Sequence, residues 1–321
     1  MTHSPEYEAD LVVDSVVKSA DDVVVLTLVH PAGETLPEWA PGAHVELVLT
    51  DDLIRQYSLC SSPTDRHAYA VGVLRDAEGR GGSVFIHDQV KVGDTMHVRG
   101  PRNHFQFVAS GHYLFIAGGI GVTPLIPMIE AADAAGADWQ LVYGGRSRSA
   151  MAFLPELEQY GERVTFVPRD EVELSLSKRI DTLLGTPHPG TLVYCCGPEA
   201  LLEAVEAACA HWPGGSLHLE RFAPKPFGDD VDDVAFEVEL QRSGKTITVP
   251  PGRSIFRVCE DNGVSVLGSC HEGICGTCET VIIEGEAEHR DSVLTDAEKA
   301  SNETLMVCVS RAKGDRLVLD L

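Results

Sequence analysis

Four of the nine cysteines have the spacing of ligands to an iron–sulfur cluster. Cys270, Cys275 and Cys278 form a Cys-x4-Cys-x2-Cys pattern, and Cys308 follows later in the chain. This spacing is typical of a [2Fe–2S] cluster held by four thiolates. Gly273 lets the loop turn tightly and bring backbone N–H groups towards the sulfurs. The pattern therefore predicts that these four cysteines ligate a [2Fe–2S] cluster.

Zinc is the main competing metal for these cysteines. Structural zinc sites usually combine two close pairs of cysteines, or add histidines in the second pair. Here the second half is a single residue, Cys308, in the apolar segment MVCVS, which we expect to be a strand. This arrangement fits zinc poorly, and four unligated thiols are the remaining alternative. The other five cysteines lie in apolar segments and are expected to be small core residues.

A second group of candidate residues lies in an expected strand that contains Arg55, Tyr57 and Ser58. Because side chains alternate along a strand, Arg55 and Tyr57 share one face, and Ser58 lies opposite or at a bend. The motif resembles the Arg-x-Tyr-Ser motif of the ferredoxin reductase superfamily. That resemblance implies that the arginine meets the flavin phosphate, the tyrosine packs on the isoalloxazine and the serine hydroxyl bonds flavin nitrogen 5. An ordinary edge strand is the alternative.

A glycine-rich turn, GRGGS, follows the expected strand VGVL. Its backbone N–H groups and its serine hydroxyl could cradle a terminal phosphate. The turn occupies the phosphate-binding position of the same superfamily, and the alternative is an ordinary hairpin loop. The predicted flavin contacts in this region are Val73, Leu74, Gly81, Gly82 and Ser83.

Two further motifs predict a nicotinamide nucleotide site. The first, GGIGVTP, follows the expected strand HYLFIA and opens a helix, so its glycines and the helix N-terminus suit a pyrophosphate. The second, CGPE, stands between a strand and a long helix, which is also its ordinary structural explanation. Both resemble the NAD(P)-binding motifs of the superfamily, in which this cysteine lies beside the nicotinamide as a contact and not as a nucleophile. The predicted contacts are Gly118, Gly119, Gly121, Thr123, Pro124, Cys196, Gly197 and Pro198.

The adenosine end of the nucleotide distinguishes NADH from NADPH. A 2′-phosphate favours Arg or Lys, whereas a free hydroxyl pair favours a carboxylate. Arg146 and Arg148 follow one expected strand and would suit NADPH, while Asp170 follows the next strand and suits the ribose. The reductases that the chain resembles prefer NADH, which we predict, with Arg146 on the pyrophosphate or ribose. The resemblance also implies that Phe222 covers the flavin; a core phenylalanine is the alternative.

The elements around these motifs predict three domains. Residues 8–100 contain short β-branched segments separated by Pro, Gly and Asp, which is typical of an antiparallel barrel or sandwich. Strands then alternate with helices, which predicts a doubly wound parallel sheet. We expect an antiparallel flavin-binding β-barrel over 1–106, a doubly wound α/β NAD-binding domain over 107–224 and a Pro- and Asp-rich linker over 225–233. Residues 234–321 resemble plant-type ferredoxins, which implies a β-grasp [2Fe–2S] domain.

The composition limits the partners. The net charge is −24 and the hydrophobic content is 44%. Such a charge argues against nucleic acid, whose phosphates need Lys and Arg, and against anionic membranes. It suits a protein partner with a basic docking surface, although simple solubility explains it equally well. Because we see neither a secretory signal nor a run of roughly 20 apolar residues, we expect a cytoplasmic protein.

The whole chain, with its flavin, NAD and ferredoxin segments in that order, resembles the phthalate dioxygenase reductase and vanillate O-demethylase reductase family. The resemblance implies an NADH-dependent reductase that uses FMN and a [2Fe–2S] cluster. It would pass electrons to the Rieske centre of a separate aromatic-ring oxygenase or O-demethylase. A reductase partner of a cytochrome P450-type monooxygenase is an alternative with the same module order. An iron–sulfur redox sensor and a structural zinc protein are alternatives of other classes.

Overall fold

The computed structural model describes residues 7–50, 52–225 and 233–321. The chain forms two compact units, Met1–Glu220 and Arg221–Leu321. Among the described residues, no helix is both long and apolar enough to cross a membrane.

The first part of the first unit is an antiparallel barrel. Alternating β-branched residues send one face of each strand inwards, where Val45, Leu47 and Val71 are fully buried. The strand order is β4-β3-β6-β1-β2-β5, and an antiparallel bridge between Leu59 and Val71 joins the two edge strands. The predicted barrel is therefore confirmed. Its strands are β1 (Glu8–Ala20), β2 (Val23–Val29), β3 (His44–Thr50), β4 (Leu53–Ser58), β5 (Ala68–Leu74) and β6 (Thr95–Arg102).

A helix that the strand pattern did not reveal begins within the GRGGS segment. Helix α1 (Gly82–Gln89) starts directly after Gly81, which has a φ of 80°. The Phe85 N–H donates to the Gly81 carbonyl at 2.9 Å and closes the first turn. The glycine-rich segment is therefore the N-terminus of a helix, where free N–H groups favour an anion.

The second part of this unit is a five-stranded parallel sheet of order β11-β10-β7-β8-β9. Apolar clusters cover both faces of the sheet, as a doubly wound fold requires, so this prediction is confirmed. The chain runs outwards from β7 to β9 and then crosses to β10 on the other side of β7. The strands are β7 (His112–Gly118), β8 (Asp138–Gly145), β9 (Val164–Pro168), β10 (Thr191–Cys196) and β11 (Leu217–Glu220), and the helices are α2 (Leu125–Ala134), α3 (Leu154–Glu158), α4 (Ile180–Leu184) and α5 (Glu199–Cys209).

The described residues of the second unit form a small mixed sheet, a separate pair of strands and two helices. Its main sheet has the order β13-β12-β18-β14-β16, and its central pair, β12 and β18, is parallel. The first hairpin turns at Gly244, whose φ is 65°. This β-grasp arrangement is confirmed. The elements are β12 (Phe236–Leu240), β13 (Lys245–Val249), α6 (Ile255–Asp261), β14 (Glu279–Glu284), β15 (Ala287–Glu288), α7 (Asp296–Ser301), β16 (Thr304–Met306), β17 (Arg311–Ala312) and β18 (Arg316–Leu319).

Helix α7 was not anticipated, although the sequence carries its signal. The Thr295 hydroxyl accepts from the Glu298 N–H, and the Glu298 carboxylate accepts from the Thr295 N–H. This reciprocal arrangement is a capping box, which the letters TDAE encode.

The expected strand MVCVS is wrong. Strand β16 ends at Met306, and the N–H groups of Val309 and Ser310 both donate to the Met306 carbonyl, at 3.1 and 2.9 Å. Cys308 therefore lies in a tight turn, because its side chain must leave the sheet to reach the other cysteines.

The domain boundaries expected from the sequence stay predictions. The expected linker, 225–233, falls mostly on residues 226–232, which lie outside the described residues.

Candidate functional site

The pairing of two strands brings the ends of the cysteine pattern together. Cys278 immediately precedes β14, and Cys308 follows β16. These strands are antiparallel neighbours, with Glu279 opposite Met306, so both cysteines lie at the same end of the pair. Their thiols are hydrogen-bonded to each other. The pairing of β14 with β16 thus brings the fourth cysteine, Cys308, to the three cysteines of the loop.

The cysteine loop directs backbone donors at the sulfurs. The Glu272 N–H donates to Cys270 Sγ at 3.3 Å. The Ile274 N–H also donates to Cys270, and the Gly273 N–H donates to Cys308. Such donors stabilise negative charge on sulfur, so the site fits a thiolate-ligated cluster.

All four cysteines are buried and joined in a chain. The Cys270 thiol is hydrogen-bonded to those of Cys275 and Cys308, and Cys308 is bonded to Cys278. Within the described ranges, no three His, Cys, Asp or Glu side chains are arranged to hold a single metal ion. A [2Fe–2S] cluster bound by these cysteines would accept and return one electron at a time.

The geometry of the loop depends on a glycine. Gly273 has a φ of 69°, a conformation that side chains disfavour. A Cβ there would lie 2.7 Å from Val309 Cγ2 and 3.1 Å from the Asp291 Cα. The Ser292 N–H donates to the Gly273 carbonyl at 2.9 Å, which fixes the loop from behind.

In the first unit, Arg55 lies across the start of helix α1. Its guanidinium donates to the Ile54 carbonyl at 2.7 Å and to the Arg80 carbonyl. A Cβ at Gly82 would overlap Arg55 Cγ and lie 2.9 Å from Nε. Guanidinium and helix N-terminus therefore converge, which suits a phosphate. The predicted roles of Arg55, Gly81 and Gly82 stay predictions with this support.

The other predicted flavin contacts, Ser83, Val73 and Leu74, are bound to other parts of the barrel domain or packed on a neighbouring apolar cluster. The Ser83 hydroxyl accepts from the Asp76 N–H at 3.0 Å and donates to the Asp76 carbonyl at 3.3 Å, so it closes the loop. The Val73 carbonyl is bonded to His87 Nε2 at 2.9 Å. Leu74, the last residue of β5, packs on the neighbouring apolar cluster. Their contact with flavin stays a prediction.

Tyr57 and Ser58 end strand β4. Burial raises the pKa of Tyr57 to about 12, so its phenol is neutral. Ser58 is buried, and its hydroxyl is hydrogen-bonded to the carboxyl of Glu220 at the end of β11. The barrel and the parallel sheet therefore meet at this serine.

The two nicotinamide motifs pack directly against each other. A Cβ at Gly121 would overlap the Cys196 carbonyl oxygen and lie 2.7 Å from the Gly197 nitrogen. A Cβ at Gly118 would lie 2.6 Å from Pro198 Cδ. The motifs follow β7 and β10, which are neighbours where the strand order reverses, and ligands of such sheets bind at that crevice. The glycines are therefore needed to bring the two loops together.

Thr123 and Pro124 connect the first loop to helix α2. The Thr123 hydroxyl donates to the Ile120 carbonyl at 2.9 Å, and Pro124 is the residue before the helix. A Cβ at Gly72 would lie 2.7 Å from Thr123 Cγ2, so strand β5 of the barrel packs closely on this loop. Gly119, with a φ of 55°, begins the short 3-10 helix that lies between β7 and α2.

Cys196 is fully buried at the end of β10. Burial raises the pKa of its thiol well above the usual value, so it stays protonated. This state supports the predicted role as a contact and not as a nucleophile. Its sulfur lies 3.9 Å from Glu220 Oε2, because Cys196 and Glu220 are paired across β10 and β11.

Glu220 is a site residue that the sequence motifs do not predict. Burial raises the pKa of this carboxyl to about 8, although the hydrogen bonds with Ser58 and Cys196 oppose the shift. Glu220 therefore holds a proton at neutral pH. Its signal in the sequence was a carboxylate at the carboxyl end of an apolar strand, LHLE, close to the CGP motif.

The residues predicted at the adenosine end lie at one edge of the sheet. Gly145 and Pro168, which end β8 and β9, are paired. Arg146, just after β8, lies 3.6 Å from Asp22 Oδ2 and is exposed. Asp170, just after β9, is exposed as well. Their contacts with the nucleotide stay predictions.

Phe222 belongs to the second unit and is 43% exposed. A core phenylalanine would be buried, so Phe222 is not a core residue. The predicted stacking on the flavin stays a prediction.

The arrangement in the first unit can hold a flavin and a nicotinamide side by side. A bound flavin accepts two electrons from a nicotinamide and can release them singly. Arg55 and helix α1 would bind the phosphate, and the glycine loops would bind the nucleotide. Ser58 would lie beside the reacting rings, and Glu220, which is hydrogen-bonded to it, would hold a proton there.

Three family models match successive parts of the chain. Residues 10–107 match an oxidoreductase FAD-binding domain, residues 115–207 an oxidoreductase NAD-binding domain and residues 238–313 a 2Fe-2S iron-sulfur cluster binding domain.

Known proteins resemble the chain along its length. The phenoxybenzoate dioxygenase subunit beta of Ectopseudomonas oleovorans is 41% identical over 96% of both chains. The structure of phthalate dioxygenase reductase, described as a modular structure for electron transfer from pyridine nucleotides to [2Fe-2S], is 36% identical. It covers 99% of this chain and 98% of its own, with a TM-score of 0.71.

An intact type IV self-sufficient cytochrome P450 monooxygenase is 42% identical, with a TM-score of 0.91. It matches 98% of this chain, which spans only 41% of that larger protein. Because the match to phthalate dioxygenase reductase runs the full length of both proteins and includes all three binding domains, the chain belongs to the phthalate dioxygenase reductase family of NADH-dependent flavin and iron–sulfur oxidoreductases.

Proposed function

We propose that the protein passes electrons from NADH through FMN and its [2Fe–2S] cluster to the Rieske centre of a separate aromatic-ring oxygenase or O-demethylase. One observation carries this proposal: four cysteines with backbone donors aimed at their sulfurs share a chain with two glycine loops that pack against each other at Cys196. The first unit thus suits a two-electron donor, and the second unit suits a one-electron carrier.

FMN is the proposed flavin, although the matching family model is named for FAD. Arg55 and the N-terminus of α1 form one compact anion site, which suits a terminal phosphate monoester. The resemblance of the motifs favours the same choice. Mass spectrometry of the flavin released by denaturation tests it, and a mass equal to that of FAD would contradict it.

A separate oxygenase is the proposed acceptor. The relative from Ectopseudomonas oleovorans is named as one subunit of a dioxygenase. The three family models account for flavin, NAD and iron–sulfur binding along the described chain. A net charge of −24 suits an acceptor with a basic docking surface.

Anaerobic titration with NADH tests the electron path. We expect the flavin absorption to bleach first and the cluster absorption to follow, and NADPH to be the poorer donor. Addition of a purified Rieske oxygenase should then reoxidise the protein and reduce the Rieske centre. No bleaching by either nucleotide would contradict the reductase function and favour a redox sensor.

A cytochrome P450-type monooxygenase is the second candidate acceptor, because a P450 monooxygenase structure matches 98% of this chain with a TM-score of 0.91. The two candidates are separated by mixing the NADH-reduced protein with each oxygenase in turn. Faster reduction of a P450 haem than of a Rieske centre would favour the second candidate.

We also propose a cytoplasmic location. All nine cysteines are free and buried, whereas oxidising compartments favour disulfides. Recovery of the protein in a periplasmic or membrane fraction of its host would contradict this.

The proposed domain boundaries are 1–106, 107–224 and 234–321, with a linker at 225–233. Limited proteolysis should cut first within the linker and release a fragment that retains the cluster absorption. A first cut inside 234–321 would contradict these limits.

A further inference from the structure

The carboxyl ends of β8 and β9 form the edge at which dinucleotide-binding sheets distinguish a ribose 2′-hydroxyl from a 2′-phosphate. These ends are tied together, since the Arg169 N–H donates to the Gly145 carbonyl at 2.9 Å. Arg148 follows β8 and Glu171 follows β9. An arginine at this edge is the side chain that a 2′-phosphate would require.

Arg148 is held by two carboxylates and an aromatic ring. Its Nη1 lies 3.1 Å from Glu158 Oε1, and its Nε lies 4.0 Å from Glu171 Oε1. The guanidinium carbon lies 5.2 Å from the centre of the Phe166 ring. One face of the guanidinium is therefore stacked, and its edges are directed at carboxylates.

The carboxylates next to Arg148 oppose a phosphate there. Glu158 and Glu171 face this guanidinium, and Asp170 is a third acid on an edge whose other cations are Arg146 and Arg169. All of these groups are exposed, so their effect on a dianionic phosphate is electrostatic and weakens with salt. A ribose with free hydroxyls carries no charge and is unaffected.

We propose that Glu158 and Glu171 determine selectivity for NADH by holding Arg148 away from the 2′-position and surrounding it with negative charge. This inference rests on the proposed function of the site as an NADH-binding reductase. It assigns the selectivity to residues that need not touch the nucleotide, and it makes Arg148 a latent ligand for a 2′-phosphate.

The test compares the holoprotein with its double variant Glu158→Gln/Glu171→Gln. Each exposed charge pair changes an equilibrium a few-fold, so we expect kcat/KM for NADPH to rise about tenfold. The value for NADH should stay within about twofold, since the neutral ribose gains nothing. The gain with NADPH should shrink as the ionic strength is raised towards about 0.15 M.

Arg148 is tested in the same background. Adding Arg148→Gln to the double variant should remove the NADPH gain, because the phosphate then loses its ligand. A matched control, Glu162→Gln/Glu203→Gln, removes two exposed acids from other parts of the same unit and should leave the NADPH to NADH ratio unchanged. If the double variant folds poorly, as judged by flavin content, the single variant Glu171→Gln gives a smaller gain in the same direction.

Three results would overturn the inference while leaving the reductase function intact. They are an unchanged NADPH value with normal NADH turnover, an NADPH gain that persists without Arg148, and a wild-type protein that already prefers NADPH. Failure of both nucleotides to reduce the wild-type flavin would instead overturn the proposed function, and this inference with it.

Discussion

The cluster site and the flavin–nicotinamide site are built in opposite ways. In the second unit, three of the four cysteines come from one loop of nine residues, and their side chains are the predicted ligands. In the first unit, Ser58, Cys196 and Glu220 come from three strands in two sheets, and glycine backbones make the close contacts. One site is local and defined by side chains, and the other is assembled and defined by backbone packing.

This difference predicts different sensitivities to substitution. A side-chain ligand can be removed without disturbing the fold around it. A glycine at a close contact cannot accept even a methyl group, because the atoms it would meet are backbone atoms. Substitutions that separate these two behaviours test the comparison directly.

The largest effect is expected from Cys275→Ser. Loss of a residue that only hydrogen-bonds a metal ligand typically lowers metal affinity or activity by about 10–100-fold. Loss of a thiolate ligand itself should therefore lower cluster-dependent reduction of cytochrome c by more than about 100-fold. Reduction of the flavin by NADH should be spared, since it occurs in the other unit. The control is Cys259→Ser, which changes a buried cysteine outside the pattern. Retention of the cluster absorption in Cys275→Ser would contradict the assignment.

Gly121→Ala should break the other site without removing any ligand. The new methyl group would overlap the Cys196 carbonyl oxygen and push the two nicotinamide loops apart. Because small displacements can cost on the order of 100-fold, stopped-flow reduction of the flavin by NADH should slow by about that factor. Flavin content and cluster absorption should not change.

Its matched control is Gly111→Ala, where no atom lies within 4 Å of the added methyl group. Equal rates for the two alanine variants would show that the loops do not need to touch.

Arg55→Ala should release the flavin from the first unit. A hydrogen bond to a charged group is worth about 1.5–3 kcal/mol, so the flavin should bind roughly 10–100-fold more weakly. Arg55→Lys keeps the charge but not the guanidinium fork and should fall in between. The measurement is the flavin-to-protein ratio after gel filtration, and a stoichiometric ratio in Arg55→Ala would refute the assignment.

The smallest effect is a pH dependence that belongs to the assembled site. Burial raises the pKa of Glu220 from 4.5 to about 8. Between these values the unfolded chain ionises this carboxyl while the folded chain keeps it protonated, so stability falls as the pH rises. Below pH 4.5 the contribution is complete, and above pH 8 it is lost.

Glu220→Gln should flatten this dependence in the flavin-free protein. We expect a difference on the order of 1 kcal/mol, or roughly 2–4 °C in Tm, between the variant and the wild type on going from pH 5 to pH 6. Glu162→Gln, at an exposed position of the same unit, is the control. An identical pH profile for all three proteins would show that Glu220 is ionised in the fold.

The sequence by itself determined what is encoded over short distances. The cysteine spacing predicts the cluster ligands, and the two glycine motifs predict the loops after β7 and β10, because most of each pattern lies within a few neighbouring residues. Strand and helix periodicity was sufficient for the fold class, since burial of one face follows directly from alternation. The capping box of α7 is also encoded locally, by the four consecutive residues TDAE.

Only the tertiary structure decided which of these segments meet. The role of Glu220 depends on the pairing of β10 with β11 and on the approach of Ser58 from the barrel, which no local pattern specifies. Cys308 leaves its expected strand because three cysteines on a distant loop require it in a turn. Contacts of this kind arise from register and crossover, and these are properties of the whole packed chain.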